Sequence, residues 1–321
     1  MGNIDWEWVN EIIDKQIGRF KKKFRIDELK KQVMKNKMSA LQIEFKNGKI
    51  ISKRLDPGFK ENRKRHLENF LSNVAKKYPE INTTIYCNVW DWSCKEDKEY
   101  PIFVMSAFKG TKNLIIPDYL FMRDYSKRNG RNNDEEPQDK IIKKYRNGNW
   151  EDKKSKCFFR AGTSKNKVII KMFENHPTVD AKWSRDGFLT YEEMFSHKYV
   201  ISHYMRWDSI YFFMKSNILI FLYSGFNQYL WYDLFLQSEK NYLSFNDQEE
   251  FNKKFKLIDK NPKMAKLIIN NTNEIAHTYF RYDFAIDYVG KLLIKYQTLI
   301  YEPSKCDNSN IQPIRDSPKS N

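Results

Sequence analysis

Cysteine, glycine and proline are all scarce in this chain of 321 residues, which has four cysteines, 11 glycines and 10 prolines. So few glycines and prolines exclude collagen-like and low-complexity proteins. No Cys-x-x-Cys pair occurs among Cys87, Cys94, Cys157 and Cys306, so the sequence predicts neither a disulfide scaffold nor a zinc ribbon. We expect four reduced thiols and a reducing compartment.

Long apolar runs are missing as well. The most apolar stretch, residues 210–226, is interrupted by Lys215 and Asn217. It falls short of the roughly 20 apolar residues that a membrane-spanning helix needs. The first residues also lack the basic and then apolar pattern of a secretory signal. The sequence therefore predicts a cytoplasmic protein without stable membrane insertion.

The chain is rich in aromatic and basic side chains instead. Aromatic residues make up 16% and hydrophobic residues 40% of the sequence, which is enough for a large core. Lys and Arg number 57 against 41 Asp and Glu, and the first 65 residues alone hold 18 basic and 9 acidic side chains. This excess favours phosphate-bearing or polyanionic ligands, although a lysine-rich solvated surface would produce it too.

Periodicity predicts alternating helices and strands. In the first half we predict helices over 4–36 and 60–78, a hairpin over 41–55 around Asn47-Gly48, and strands at 83–89, 102–107 and 113–116. In the second half we predict strands at 157–159, 198–202 and 217–223 and helices at 165–175, 227–238, 246–257, 262–277 and 283–299. The polar segment 125–140 reads as a loop or an interdomain linker. This order indicates an α/β architecture with mostly parallel sheets.

An acidic side chain follows the predicted strand at 83–89. Asp91 is placed just past the carboxyl end of that strand, where ligands bind in open α/β sheets. A carboxylate there can act as a general base on an acceptor hydroxyl. A helix cap or an ordinary loop aspartate is the alternative.

A second motif runs from Cys157 to Lys167, where a buried strand meets a glycine turn and then a helix. Gly162 lets the backbone approach a phosphate, Thr163 or Ser164 can cap the helix, and Arg160 and Lys167 supply positive charge. The motif matches neither the P-loop nor the dinucleotide-binding pattern. An ordinary capped strand–helix turn is the alternative.

A third polar segment follows the strand at 198–202. His197 and His203 are not on one helical face and have no Cys or carboxylate partner at ligand spacing, so a metal site is not predicted. Arg206, Asp208 and Ser209 form a polar turn of the kind that binds ligands. No Asp-x-Asp occurs anywhere in the chain, so we predict no obligatory metal or other cofactor.

Together these pieces resemble the family-90 glycosyltransferases, which include protein O-glucosyltransferases and capsule-associated xylosyltransferases. Asn88-Val-Trp-Asp91 resembles the family's Asp motif, and Ile116-Pro-Asp118 its Pro-Asp segment. Phe158-Phe-Arg-Ala-Gly-Thr-Ser164, followed by Val179-Asp-Ala181, is similar to the family's FFRG and VDA motifs. The stretch from His197 to Ser209 continues the likeness, which covers about residues 40–300.

The chain departs from the family at three places, one of which is Tyr204-Met-Arg-Trp207, where the family has a glycine-rich turn. Ala161 stands where the family has the glycine after FFR, and Gly162 comes one place later. Tyr211 stands where the family has an arginine, and Arg206 can compensate for that lost charge. Because of these departures, a fold that has lost catalysis is also an alternative.

The resemblance implies a GT-B fold, with two Rossmann-like lobes around a cleft. Residues 1–145 would hold the acceptor and the base, and residues 146–283 would hold the donor. A helix over 284–302 would pack back on the first lobe, and residues 303–321 would be a disordered tail.

The implied reaction is inverting transfer of xylose or glucose from a UDP-sugar to a hydroxyl of a glycan or glycoprotein. The resemblance places the catalytic base at Asp91 and the acceptor-side contacts at Trp90, Trp92 and Asp118. It places the donor contacts at Arg160, Gly162, Thr163, Ser164, Lys167, Arg206, Asp208, Ser209 and Tyr211. The implied partners are a nucleotide sugar and a glycan or glycoprotein acceptor. Because the sequence shows no secretory signal, we expect a cytosolic enzyme encoded by a bacterium or a large virus.

A basic nucleic-acid-binding module is the rival from another class. The net charge of +16 supports it. Against it, the sequence has no RRM, helix-turn-helix or zinc-finger pattern, so nucleic acid is not the partner we predict.

Overall fold

The computed structural model describes residues 3–35, 40–55, 61–88, 99–118, 122, 142–143, 149–162, 166–187, 189–203, 207–225 and 228–301. The predicted linker over 125–140 and the predicted tail from residue 303 lie outside these ranges. In chain order, the elements of the first half are α1 (Trp6–Ile17), β1 (Phe24–Arg25), α2 (Ile26–Lys35), β2 (Ala40–Lys46), β3 (Lys49–Arg54), α3 (Glu61–Lys77), β4 (Thr83–Asn88), β5 (Phe103–Val104), β6 (Ser106–Phe108) and β7 (Leu114–Ile115).

The second half continues the alternation of strands and helices. Its elements are β8 (Lys154–Ala161), α4 (Lys167–Met172), β9 (Val179–Trp183), α5 (Tyr191–Phe195), β10 (His197–His203), α6 (Trp207–Met214), β11 (Leu219–Tyr223), β12 (Gln228–Leu230), a 3-10 helix (Trp231–Leu234), β13 (Leu243–Phe245), α7 (Gln248–Asp259), α8 (Pro262–Tyr279), α9 (Tyr282–Gln297) and β14 (Ile300–Tyr301). The chain therefore has a mixed α/β fold.

The first sheet has the strand order β3-β2-β4-β5-β7. The hairpin of β2 and β3 turns at Asn47 and Gly48, whose φ angles of 49° and 71° are both left-handed. Such a pair is typical of a two-residue hairpin turn. β4, β5 and β7 are parallel to one another, so their carboxyl ends share one edge of the sheet.

The second sheet is parallel throughout, with the order β13-β11-β10-β8-β9. Read from β9 and numbered along the chain within this sheet, that order is 2-1-3-4-5, which is one of the doubly wound arrangements. Alternate residues point to opposite faces of the sheet. Phe159 and Phe221 join an outer core with the helices α7 and α8, whereas Phe158 and Ile220 join a central core.

The central core runs from one half of the chain to the other. It contains Phe45 and Phe103 of the first sheet, Val200 of the second sheet, and Leu292 and Tyr296 of α9. These side chains are almost fully buried. The two sheets are therefore fastened by a shared apolar interior, and the division of the chain at residue 145 stays a prediction.

A short antiparallel ladder also joins the halves. β12 pairs with β6, with Leu230 opposite Ser106 and Gln228 opposite Phe108. The predicted helix over 227–238 is wrong, because this segment forms β12 and the 3-10 helix. An apolar run this short fits a strand and a buried helix equally well by periodicity, and pairing with β6 decides between them.

The last helix, α9, packs on α1 and α3 of the first half. Tyr78 follows α3, and its hydroxyl donates a hydrogen bond of 2.8 Å to Asp287 of α9. The ring of Tyr78 lies directly against Gly290, where any side chain would overlap it. Glycine at this position therefore allows α9 to approach the first half closely.

We predict that Gly290→Ala destabilises the protein by about 1–3 kcal/mol, the usual cost of overpacking a core. Helix propensity alone would have the opposite sign, because alanine favours a helix over glycine by about 1 kcal/mol. Urea unfolding measures the difference. In a Tyr78→Leu background the same change should cost little, and an equal loss in both backgrounds would contradict the contact.

Candidate functional site

The candidate site lies at the carboxyl ends of β8 and β10, which are neighbours in the second sheet. The connection after β8 leads to α4, whose Ile169 belongs to the outer core. The connection after β10 leads to α6, whose Phe212 and Phe213 belong to the central core on the opposite face. Two connections that leave adjacent strands toward opposite faces of a sheet open a crevice between them. Ligands bind in this crevice in doubly wound sheets.

This topology brings together two of the polar segments that the sequence analysis selected. Gly162, which is exposed, directly follows β8, and Lys167, also exposed, begins α4. α6 begins at Trp207 and contains Asp208 and Ser209. Thr163, Ser164 and Arg206 lie outside the described residues. Both selected segments therefore start from the same edge of the sheet.

Arg160 is held by protein groups. Its Nη1 donates to the carbonyl oxygens of Phe159 at 2.9 Å and Asp180 at 2.7 Å, and its Nη2 donates to Asp180 Oδ2 at 2.6 Å. Its Nε donates to the carbonyl oxygen of Gly187. The guanidinium thus ties β8 to β9 and to the turn after β9.

Asp180 was quoted in the sequence as part of Val179-Asp-Ala181, without a role. Burial by itself would raise the pKa of the Asp180 carboxyl, but the hydrogen bond and charge of Arg160 outweigh this effect. Lys182, at 3.2 Å from Oδ1, adds to the lowering. The pKa is therefore below its usual range, and the FFR and VDA motifs meet as an ion pair across β8 and β9.

Tyr211 lies in the interior, with 1% of its surface exposed. Its hydroxyl accepts a hydrogen bond from Nζ of Lys215, one helical turn later. The same ammonium lies 4.2 Å from the ring centroid of Tyr211, which is cation–π distance. Tyr211, where the resemblance leads us to expect an arginine, therefore packs in the core against the ammonium of Lys215, which directly follows α6.

The predicted acceptor side belongs to the first sheet. Trp90, Asp91 and Trp92 lie outside the described residues, but the strand before them, β4, ends at Asn88. Asp118 follows β7 and is almost fully buried, and its backbone carbonyl oxygen accepts the N–H of Met122 at 3.1 Å. β4 and β7 run parallel on either side of β5, so both segments leave the same edge of this sheet.

The carboxyl edges of both sheets adjoin the ladder of β6 and β12. β5 ends at Val104 and β6 begins at Ser106, whereas β11 ends at Tyr223 and β12 begins at Gln228. Five residue steps span at most about 18 Å. β5 of the first sheet and β11 of the second sheet therefore both lead from their carboxyl ends into the same joint between the halves.

Asp233 is a titratable group at this joint that the sequence analysis missed. Burial raises its pKa to about 7, against the opposing effects of a hydrogen bond from Leu230 N–H and the charge of Lys109. The bond from Leu230 to Oδ2 is 2.7 Å long. A lone aspartate in an apolar run carries no pattern that reveals such an environment.

Two further properties bear on ligands. Among the described residues, His, Cys, Asp and Glu side chains do not gather into a group of three that could hold a metal ion. None of the helices in the described part of the chain combines the length and the apolar content of a membrane span.

Comparisons with known proteins give only distant similarities. No protein-family model matches the chain, and no curated protein has a matching sequence. The chain is similar to the C-terminal domain of a glycosyl transferase group 1 family protein from Francisella tularensis, with 11% identity over 46% of this chain and 94% of that one and a TM-score of 0.29. It is also similar to a sucrose-phosphate synthase from Thermosynechococcus elongatus, with 12% identity over 44% of this chain and 38% of that one and a TM-score of 0.30. At TM-scores this low, neither similarity establishes a common fold.

We predict that Asp180→Asn lowers the free energy of unfolding at pH 7 by about 2 kcal/mol, since it removes a charged partner from the buried Arg160. The folded-state pKa of Asp180 is depressed, so its stabilisation is present above the unfolded value of 3.8 and is lost as the pH falls through the folded pKa. Urea unfolding should therefore show a difference from wild type that is full at pH 7 and shrinks below about pH 4.

Asp186→Asn is the matched control, because Asp186 pairs with Arg185 at 3.6 Å on the exposed surface. Exposed pairs contribute little, so this variant should behave like wild type at both pH values. Equal effects of the two substitutions would contradict the role of the Arg160–Asp180 pair.

Proposed function

We propose that the protein is an inverting glycosyltransferase that moves xylose or glucose from a UDP-sugar to a hydroxyl of a glycan or glycoprotein. The observation that carries this proposal is the convergence of two sheet edges on the β6–β12 joint. One edge precedes Asp91 and the other bears Gly162 and Lys167. A two-lobed GT-B arrangement, with acceptor and donor on opposite sides of a cleft, fits this placement.

On the donor side, the exposed Gly162 would let the backbone approach a diphosphate, and the exposed Lys167 at the start of α4 would add a positive charge. Arg206 belongs to the neighbouring connection after β10 and would supply a second cation. Arg160, whose charge is paired with Asp180, holds β8 and β9 in register at this edge and so positions the turn that follows β8. The charges of Lys167 and Arg206 would stabilise the UDP leaving group as the glycosidic bond breaks.

On the acceptor side, Asp91 would act as the general base. It takes the proton of the acceptor hydroxyl while that oxygen attacks the anomeric carbon, and the bond to the UDP oxygen breaks. One bond to the anomeric carbon forms as the other is lost from the opposite face, so the configuration inverts. Asp118, which is buried at the same edge of the first sheet, would help to hold the acceptor side of the site in place.

Asp91→Asn tests this assignment, because it removes the base with almost no change in volume. We predict that sugar transfer falls by about 10²–10⁴-fold, whereas the rise in melting temperature with UDP is retained. Transfer is measured with radiolabelled UDP-xylose and UDP-glucose.

Asp186→Asn, on the exposed surface of the second half, is the control and should transfer sugar at the wild-type rate. Near-normal turnover in Asp91→Asn would overturn the assignment of the base. Loss of the UDP-induced shift in that variant would show instead that Asp91 serves donor binding.

A further inference from the structure

The helices α7 and α8 carry the same short motif on their outer faces. Lys253-x-x-Lys256-Leu257-Ile258 in α7 recurs ten residues later as Lys263-x-x-Lys266-Leu267-Ile268 in α8. In both copies the isoleucine belongs to the outer core, whereas the two lysines and the leucine are exposed. Positions i, i+3 and i+4 lie on one face of a helix. Each helix therefore presents two lysines and a leucine to solvent as one stripe.

The two stripes border one surface of the second half. α7 and α8 pack on each other and together cover the outer core, so both stripes point away from that core. Only Lys260 and Asn261 connect the two helices. The Cα atoms of Leu257 and Leu267 are therefore at most about 25 Å apart. We call this region, from Lys253 to Leu267, the α7–α8 surface.

The α7–α8 surface lies at the opposite end of the second sheet from the candidate site. Glu151, which precedes β8, pairs with Lys266 of α8. Asp259, at the end of α7, accepts a hydrogen bond of 3.2 Å from the hydroxyl of Tyr199, near the start of β10. These contacts place the connection between the helices near the amino ends of the strands, whereas Gly162 follows a carboxyl end. A partner bound here would leave the candidate site accessible.

The surface carries an excess of positive charge. Its five exposed lysines are Lys253, Lys256, Lys260, Lys263 and Lys266. Lys266 is paired with Glu151, whereas the other four form no ion pair with a described residue. Asp259 is an exposed carboxylate between the leucines, and Glu249 and Glu274 lie a turn or more beyond the lysines. The region around the two leucines therefore remains basic.

The leucines distinguish this surface from an ordinary solvated lysine face. Leu257 is 54% and Leu267 is 59% exposed, and each would gain free energy on leaving water. At a bilayer surface a leucine enters the acyl boundary while the lysine stems extend to the phosphate groups. Nucleic acid fits less well, because neither helix exposes an arginine or an aromatic side chain. Those are the groups that grip phosphates with two hydrogen bonds and stack on bases.

We propose that the α7–α8 surface docks the protein on an anionic lipid bilayer. The lysines bind the negatively charged headgroups, and the two leucines enter the interface between headgroups and acyl chains. The helices lie along the bilayer and do not cross it. This docking does not depend on the proposed function, since it uses none of the residues of the candidate site.

Sedimentation with vesicles made of equal parts phosphatidylserine and phosphatidylcholine tests the proposal. We predict binding at low salt that weakens as salt is added, and no binding to pure phosphatidylcholine. Lys256→Gln combined with Lys260→Gln should weaken binding by about ten- to thirtyfold, since each lysine near an anionic surface contributes roughly fivefold. Leu257→Gln combined with Leu267→Gln should weaken it by about tenfold and leave its salt dependence unchanged.

The exposed side of α2 supplies the matched controls. Lys30→Gln combined with Lys31→Gln removes two exposed lysines from another helix, and Met34→Gln removes an apolar side chain that is 53% exposed. These variants should bind the vesicles as wild type does. Glutamine has nearly the helix propensity of lysine and leucine, so every variant should keep the wild-type melting temperature.

Absence of binding to the phosphatidylserine vesicles at low salt would overturn the proposal. An equal loss in the α2 controls would also overturn it, by showing attraction through net charge alone. So would wild-type binding by the leucine variant, since the leucines would then not enter the bilayer. Tighter binding to duplex DNA or RNA than to vesicles, weakened only in the lysine variant, would assign the surface to nucleic acid instead. Each of these outcomes leaves the binding of UDP-sugars, which is measured separately, unaffected.

Discussion

The ion pair between Arg160 and Asp180 is the contact on which the candidate site depends. β9 is the edge strand of the second sheet, and the guanidinium of Arg160 fastens it to β8 through side-chain and backbone oxygens. The same group reaches the carbonyl oxygen of Gly187 and so fixes the turn that follows β9. With its partners removed, a buried arginine would retain an uncompensated charge, which is among the costlier defects in a protein interior. This pair therefore anchors the carboxyl end of β8, where the proposed donor turn begins.

A second constraint, a buried hydrogen-bond network, joins the first half of the chain to the last helix. Gln16 of α1 accepts the backbone N–H of Ile115 at 2.9 Å and donates to the hydroxyl of Tyr288. That hydroxyl in turn donates to the carbonyl oxygen of Ile115 at 3.2 Å. This buried network joins α1, β7 and α9, so a helix that follows the second sheet in the chain completes the first half. The β6–β12 ladder and the shared central core then determine how the two carboxyl edges are placed.

Much of the fold follows from local sequence patterns. Asn47-Gly48 predicts the hairpin, because few other residues adopt two left-handed conformations in succession. The continuous apolar run before Tyr223 predicts β11, which is buried on both faces. The segment 227–238 could not be predicted in this way, since its conformation depends on pairing with β6, more than a hundred residues earlier in the chain.

The candidate site, too, follows partly from local sequence patterns and partly from contacts between distant segments. The sequence places Gly162 and Lys167 after a strand, and the strand order then brings the connection after β10 beside them. The partner of Arg160 is twenty residues away in sequence, so no local pattern distinguishes an arginine that binds a phosphate from one that binds a carboxylate. The burial of Tyr211 and the raised pKa of Asp233 likewise depend on packing between distant segments.

A screen of nucleotide sugars by thermal shift tests the central claim most directly, namely that the carboxyl edge of the second sheet binds a UDP-sugar. The purified protein is melted with UDP-xylose, UDP-glucose and the corresponding GDP-sugars in the presence of EDTA. A ligand that binds only the native state raises the melting temperature. The account predicts a rise with UDP-xylose or UDP-glucose and none with the GDP-sugars. No rise with any nucleotide sugar would contradict it, and affinity for RNA or DNA that falls steeply with salt would then favour the nucleic-acid alternative.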